Sequence, residues 1–339
     1  MRRLSADGAL VMSQDSDTTP PPIAPAPHAH HPFARVLACV ALSPSTALVV
    51  SEARRLADAC GSDLTFLHVG PDLARVRDIV HETLGPDVEV VARAGKPERV
   101  ILAEAKRLEA DLVFAGALRS DPLLRGILGS LARRLARNAD RSLFLSIHRF
   151  PPEGVARTVV ASIAFDDRSR AMLQATLALV RRASTTTLHI VREYDPHSTR
   201  MSETTGAGAG AERWEQILAA AQRFELANFL ATFDLSGITF RAECIEGRGG
   251  EEVVRYAERV NADLLVIPAP ERQLGFFDRF FGHPTETLLE RFPCSVLLYR
   301  RPRSKRRNPL MDQSGVHEFG DLSQSHGPAD QHPRAGETP

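Results

Sequence analysis

Apolar residues fall in short blocks separated by stretches with helical spacing. Residues 33–42, Phe-Ala-Arg-Val-Leu-Ala-Cys-Val-Ala-Leu, are nearly continuous, the pattern of a strand covered on both faces. Ser43-Pro44 predicts an N-cap followed by proline at the first helical position. Val49, Ala53, Leu56 and Cys60 then share one helix face, and Gly61 is a natural stop. Residues 64–69 predict a second strand, and Leu73, Val76, Val80 and Leu84 a second helix. A third strand is expected over 88–93. Gly95-Lys-Pro97 turns the chain into a helix with Ile101, Ala105 and Leu108 inward. A fourth strand at 111–115, a helix from Leu131 and a fifth strand at 142–147 complete the series.

Strands alternating with helices imply right-handed β-α-β units and a mostly parallel sheet with helices on both faces. The pattern then repeats. Residues 36–43 align with 159–166, and 65–69 with 187–191 within one residue. Gly95 and Asp111 are spaced like Gly247 and Asp263, and Ser142-Leu-Phe-Leu matches Ser295-Val-Leu-Leu. Duplication on this scale predicts an α/β protein of two similar, doubly wound parallel-sheet domains, at 33–149 and 156–302. A Pro-Pro-Glu-Gly linker at 151–154 joins them. The second copy carries an insertion at about 194–211 and then a long helix, 212–233, with Ile217, Ala221 and Phe224 expected to face inward. Residues 1–32 and 303–339 lack periodicity and read as disordered tails.

Composition narrows the class. A chain of 339 residues with 43% hydrophobic residues suits a folded globular protein. A formal net charge of zero gives no global pull toward nucleic acid or an anionic membrane surface. Cys39, Cys60, Cys244 and Cys294 have no C-x-x-C spacing and read as core or near-core thiols in a reducing compartment. Neither a membrane span nor a secretory h-region is visible, so the expected location is the cytoplasm. His28, His30 and His31 sit in the polar tail with no carboxylate or Cys to complete a metal site.

Chemistry concentrates between the fourth strand and the helix that follows. Gly116-Ala-Leu-Arg119-Ser-Asp-Pro-Leu-Leu-Arg-Gly-Ile-Leu-Gly129-Ser130 places a Gly-Ser pair where that helix begins. Unpaired N–H groups and the positive end of the helix dipole favour an anion there, and glycine admits close backbone approach. The layout is a phosphate cradle without the lysine of a P-loop. It is equally the layout of a connection whose Gly-Ser merely caps a helix. Ligands of doubly wound sheets sit beyond the carboxyl ends of strands where the strand order reverses, which makes the loops after strands one and four the candidates. In the second copy Pro268 replaces Gly116, and the following loop holds Phe276, Phe277, Phe280, Phe281 and His283, the last where Ser130 stands.

At these residues the chain resembles the universal stress protein family in tandem form, an adenine nucleotide alpha hydrolase-like fold. Its nucleotide-binding members carry Gly-x2-Gly-x9-Gly-Ser/Thr after strand four. Here Gly116, Arg119 and Gly129-Ser130 match the spacing, with Arg119 at the second glycine's place. The resemblance implies ATP or a related nucleotide, with Mg as its only metal, held by Ala41 and Leu42 at the base and by Gly116, Arg119, Gly129 and Ser130 at the phosphates. Ala41 and Ala164 stand where such members usually have an Asp. Asp166 and Asp167 lie just beyond in the second copy, where a helix N-cap is their simpler job. Arg119 supplies a cation for phosphate, or bulk that fills the site. The resemblance also implies an internal pseudo-dimer paired through the last strand of each copy.

Three functions follow as expectations. One is a stress-associated nucleotide binder, at most a slow hydrolase, since no general base or metal carboxylate is positioned beside Ser130. Another is a scaffold without nucleotide, with the loop at Phe276–Phe281 as a partner or self-association surface, or else as added core. An adenylating enzyme would need a Ser-Gly-Gly-x-Asp-Ser loop after strand one, and Ala41-Leu-Ser-Pro-Ser does not supply it. His68, His81 and His189 have no partner spacing and read as semi-core residues.

Overall fold

A computed structural model describes residues 3–4, 10–11, 33–116, 130–147, 150–196, 209–269 and 293–301, all within the unit Met1–Pro302. Two short strands, β1 (Arg3–Leu4) and β2 (Leu10–Val11), come first. The first half then runs β3 (Arg35–Val40), α1 (Thr46–Cys60), β4 (Asp63–Val69), α2 (Leu73–Leu84), β5 (Val90–Arg93), α3 (Pro97–Arg107), β6 (Leu112–Gly116), α4 (Ser130–Asn138) and β7 (Ser142–Ser146). The second half runs β8 (Thr158–Ser162), α5 (Asp167–Val180), β9 (Thr187–Tyr194), α6 (Ala209–Leu230), β10 (Phe240–Glu246), α7 (Glu251–Arg259), β11 (Leu264–Pro268) and β12 (Ser295–Tyr299).

Both halves have the same strand order. The first is β5-β4-β3-β6-β7 and the second β10-β9-β8-β11-β12, each parallel throughout. The last strand of each copy pairs antiparallel with the other, Phe144 opposite Leu297, so one continuous sheet of twelve strands results. Two edges that would otherwise expose unpaired N–H and C=O groups thereby cover each other. The pairing is two-fold in its details. Ser142 Oγ lies 3.1 Å from the carbonyl and 3.0 Å from the N–H of Arg300, just past β12. In the matching place Ser295 Oγ accepts the N–H of Ile147, just past β7, at 3.2 Å.

Each sheet face holds its own core. On one side lie α1, α2, α5 and α6, with Val50, Leu56, Val76, Leu173 and Phe229 packed on alternate strand residues such as Phe66 and Phe114. The other side takes α3, α4 and α7 through Ile101, Leu135, Val253 and Tyr256. The linker is fastened rather than loose. Arg55 of α1 donates to the carbonyls of Pro151 and Gly154 and stacks over Phe150 at 5.7 Å. Gly154 has φ of +71°, and a Cβ there would fall 1.9 Å from the Ala183 carbonyl, so only glycine passes. Asp111 accepts the N–H of Arg35, and Asp263 those of Arg157 and Thr158, which gives both repeat aspartates one job at the start of the central strand.

Three expectations need correction. The first helix starts at Thr46 with Ser45 as N-cap, two residues after Ser43. Ser43 and Thr46 instead bond to each other and close a turn, as Ser and Thr side chains do before helices. In α6, Ile217, Ala221 and Phe224 point outward, and Leu226, Phe229 and Leu230 are the buried residues. At about 100° per residue Ile217, Ala221 and Phe224 fall on the side of the helix opposite Leu226, Phe229 and Leu230, so only one of its two apolar faces meets the sheet. Finally, part of 1–32 is structured. Strands β1 and β2 form a hairpin, and Leu10–Val11 adds antiparallel to Ala242 and Arg241 because the outer edge of β10 offers free backbone groups.

Candidate functional site

The strand order reverses between β3 and β6 in the first half and between β8 and β11 in the second. A crevice at the carboxyl ends of each pair is the natural ligand position. In the first half β3 and β6 run in register, Cys39 beside Ala115, which puts Val40 level with Gly116 and Ala41 and Leu42 just beyond it. Strands β6 and β7 are parallel, so α4 crosses back and its first turn, at Ser130, stands at this same end. Of the residues expected in the site, the fold therefore gathers Ala41, Leu42, Gly116 and the start of α4. Arg119 and Gly129 lie outside the described residues, as does the Phe276–Phe281 loop with His283.

The loop after β3 is held by one hydroxyl. Thr46 is buried, and its Oγ1 lies 2.7 Å from the Ala41 carbonyl and 2.8 Å from that of Ser43, while it accepts the Ser43 N–H at 2.8 Å. Ala41 is exposed at the mouth, and Leu42 packs partly onto the core beneath. Gly116 faces α1, where an added Cβ would lie 2.9 Å from Val49 Cγ2. Its lack of a side chain is what lets β6 end against that helix. Next to this mouth His68 is buried. Its Nδ1 must carry the proton, since it bonds the Val40 carbonyl at 3.1 Å and a carbonyl only accepts. His68 Nε2 has no partner and lies under Gly70, where a Cβ would approach to 3.0 Å.

The second half carries larger side chains at the equivalent positions. Arg192, in the register position matching His68, stacks over Phe165 at 5.0 Å, and Phe165 packs on Phe229 with ring centroids 5.8 Å apart. Asp166 caps α5. Its Oδ1 accepts the Ser169 N–H at 2.8 Å, and Ser169 Oγ accepts the Ala164 N–H at 2.8 Å. Burial acts to raise the Asp166 carboxyl, but the Ser169 hydrogen bonds and the Arg168 charge outweigh it and hold the pKa below the ordinary value. This carboxylate is committed to the helix. Glu193 does the same at α7, accepting the Gly250 N–H at 2.7 Å, and burial raises its pKa. A Cβ on Gly247 would come 2.8 Å from Glu193 Oε1, so the glycine that marks the repeat in sequence here makes room for a carboxyl.

Behind this mouth His189 and Tyr256 form a buried chain. The Tyr256 hydroxyl donates to Glu243 Oε1 at 2.8 Å and accepts from His189 Nδ1 at 2.8 Å. Burial, with the nearby Arg241, lowers the His189 pKa and keeps the ring neutral. Sequence reading missed Thr46, Glu193 and this chain because each depends on contacts across strands. Only the Thr46 turn has a local signature, Ser-x-x-Thr after a strand. Among the described residues no group of His, Cys, Asp and Glu is arranged to hold a metal ion, and no helix is long and apolar enough to cross a membrane.

The family model described as the universal stress protein family matches residues 73–145 and 156–300. Solved structures agree on the fold. A functionally unknown protein from Pseudomonas aeruginosa PAO1 is 17% identical, with a TM-score of 0.60 over 80% of this chain and 94% of its own. A putative universal stress protein from Pseudomonas aeruginosa UCBPP-PA14 gives 17%, 0.61, 80% and 95%. A universal stress protein from Archaeoglobus fulgidus gives 16%, 0.51, 80% and 97%. No curated protein matches this chain.

Proposed function

The chain belongs to the universal stress protein family, with one such domain in each half, and from that premise we propose that it is a cytoplasmic stress-response protein whose first half binds an adenine nucleotide. The observation that carries this reading is the gathering of residues at the switch point of the first half. Exposed Ala41, partly buried Leu42 and Gly116 share one end of the sheet with the start of α4. In this reading the base lies on Ala41 and Leu42, and the phosphates meet Gly129, Ser130 and Arg119, with Mg carried by the nucleotide. The second half holds no nucleotide in this reading, because Pro268 replaces the glycine and the stacked pair Phe165 and Arg192 stands at the positions of Leu42 and His68. The protein acts as a binder rather than as a catalyst. Four free cysteines support a reducing compartment.

The test is thermal unfolding with and without ATP. A ligand at a hundredfold excess over its Kd stabilises by about 2.7 kcal/mol, an easily read shift. Gly129→Asp puts negative charge beside the phosphates and removes that shift. Unchanged melting of the wild type in millimolar nucleotide refutes the reading. It leaves the scaffold alternative, which the absence of a carboxylate at Ala41 favours and in which the Phe276–Phe281 segment meets a protein partner.

A further inference from the structure

Helices α3 and α4 lie side by side on the core that holds Ile101 and Leu135. Glu98 ties them, accepting from Arg134 at 2.9 Å and from Asn138 at 2.7 Å. Their outer surface is basic. Lys96, Arg99, Lys106 and Arg137 are exposed, and among the described residues none of them meets a carboxylate. Arg93, Arg107 and Arg134 stand beside them, each about half exposed. The two helices hold two carboxylates, Glu98 and Glu104, and those three arginines already engage both. Seven cations against two carboxylates leave a local excess of five positive charges, which the zero net charge of the chain hides. The sister helix α7 shows that the fold does not require this. Counting from Gly95 and Gly247, the outer positions held by Arg99 and Lys106 in α3 are held in α7 by Glu251 and Glu258, both exposed. Arg99 also stands in the first turn of α3, where the positive end of the helix dipole disfavours a cation, whereas α7 has Glu251 and Glu252 in its first turn. Cations set against local helix preference serve a contact rather than the fold.

We propose that this face binds double-stranded DNA through its phosphates, without reading sequence. Five of the seven cations are arginines, whose guanidinium fork matches phosphate oxygens. A protein partner would need an apolar anchor, and among the described residues the exposed large apolar side chains are all on α6. An unpaired base would need an aromatic ring to stack on, and α3 and α4 carry none. A 2′-hydroxyl of RNA would need a free polar group, and Asn138, the uncharged polar side chain described on this face, is given to Glu98. Two packed helices with axes about 8–10 Å apart set their cations within reach of the phosphates on both sides of one groove. The face covers the outside of the helix layer rather than the switch point, so the proposal is independent of nucleotide binding.

The test is fluorescence anisotropy of the full chain with two DNA duplexes of unrelated sequence, each about 20 base pairs long. Both are expected to bind alike, with a Kd on the order of 1 µM at about 50 mM salt. The logarithm of the association constant should fall against the logarithm of salt with a slope of about −4 to −6. Arg99→Glu with Lys106→Glu gives α3 the signs that α7 already carries. It is expected to weaken binding by more than about tenfold and to take about two from the size of the slope. The same variant keeps or raises Tm, since it sets a carboxylate at the start of the helix. Arg255→Ala, on the matching face of the second half, leaves binding unchanged. No binding at about 50 mM salt, or a charge-reversed variant that binds like the wild type, overturns the proposal. So does tighter capture of an RNA duplex of the same sequence, or binding to phosphatidylserine vesicles in place of DNA. A fall in Tm alongside the loss of binding makes these cations structural and overturns it as well.

Discussion

Glu52 sits in the middle of α1 with only 3% of its surface exposed, at the point where the first half meets the linker. One carboxyl oxygen accepts the Ser146 hydroxyl at 2.7 Å, and the other accepts the Phe150 N–H at 3.0 Å. It thereby ties the helix, the end of β7 and the start of the linker together. Glu52→Ala removes both acceptors and leaves a buried N–H and a buried hydroxyl facing a small void. A hydrogen bond to a charged group contributes about 1.5–3 kcal/mol, and an orphaned buried donor costs about as much, so the expected loss is about 3–5 kcal/mol. Unfolding entropy for a chain of this size is about 0.6 kcal/mol per degree, which converts that loss to a fall in Tm of about 5–8 °C. Glu52→Gln keeps one acceptor and costs about 1–2 kcal/mol. Urea denaturation of wild type, Glu52→Ala, Ser146→Ala and the double variant checks this, with a coupling of about 1–2 kcal/mol expected between the two residues. A Glu52→Ala loss below about 1 kcal/mol, or additive single variants, refutes the claim that this carboxyl fastens the junction.

Two further outcomes test the site-forming parts. Asp166→Ala removes the N-cap of α5 and lowers stability by about 1 kcal/mol, and Asp166→Asn recovers most of it in the same melt. Glu104 gives a pH signature. Burial acts to raise its pKa, but hydrogen bonds from Arg107 at 2.7 Å and Arg93 at 2.6 Å prevail and hold it below the ordinary 4.5. A depressed folded-state pKa adds stability above the unfolded value of 4.5, and that stability is lost as the pH falls through the folded value. Glu104→Gln should therefore flatten the acid limb of the stability–pH curve below about pH 5, and an unchanged limb counts against the Arg93–Glu104–Arg107 cluster.

The junction shows why the sequence reading stopped where it did. Glu52 is a polar residue between helical positions, and nothing nearby in the chain announces that residues 94 and 98 positions away converge on it. Its neighbour Arg55 looks like surface charge until the linker carbonyls are seen under it. The α6 stripe misled for a related reason. Periodicity identifies a face as apolar but does not say which direction the sheet lies, and α6 has apolar residues on two sides.

What the sequence settled by itself was everything that repeats or alternates. Apolar blocks at strand spacing, helical stripes between them and the matching of 36–43 with 159–166 were enough for two parallel doubly wound halves. Local hydrogen bonding and burial dictate those features, so they are written locally. Tertiary structure decided the rest. It merged the halves into one sheet through β7 and β12, put Ser142 and Ser295 to the same use at that seam, and brought the end of β3 beside that of β6. It also stacked Arg192 over Phe165 in the second half and closed the turn after β3 in the first with Thr46. Each of these depends on groups far apart in the chain meeting within a few ångströms, and pattern along a chain carries no record of that distance.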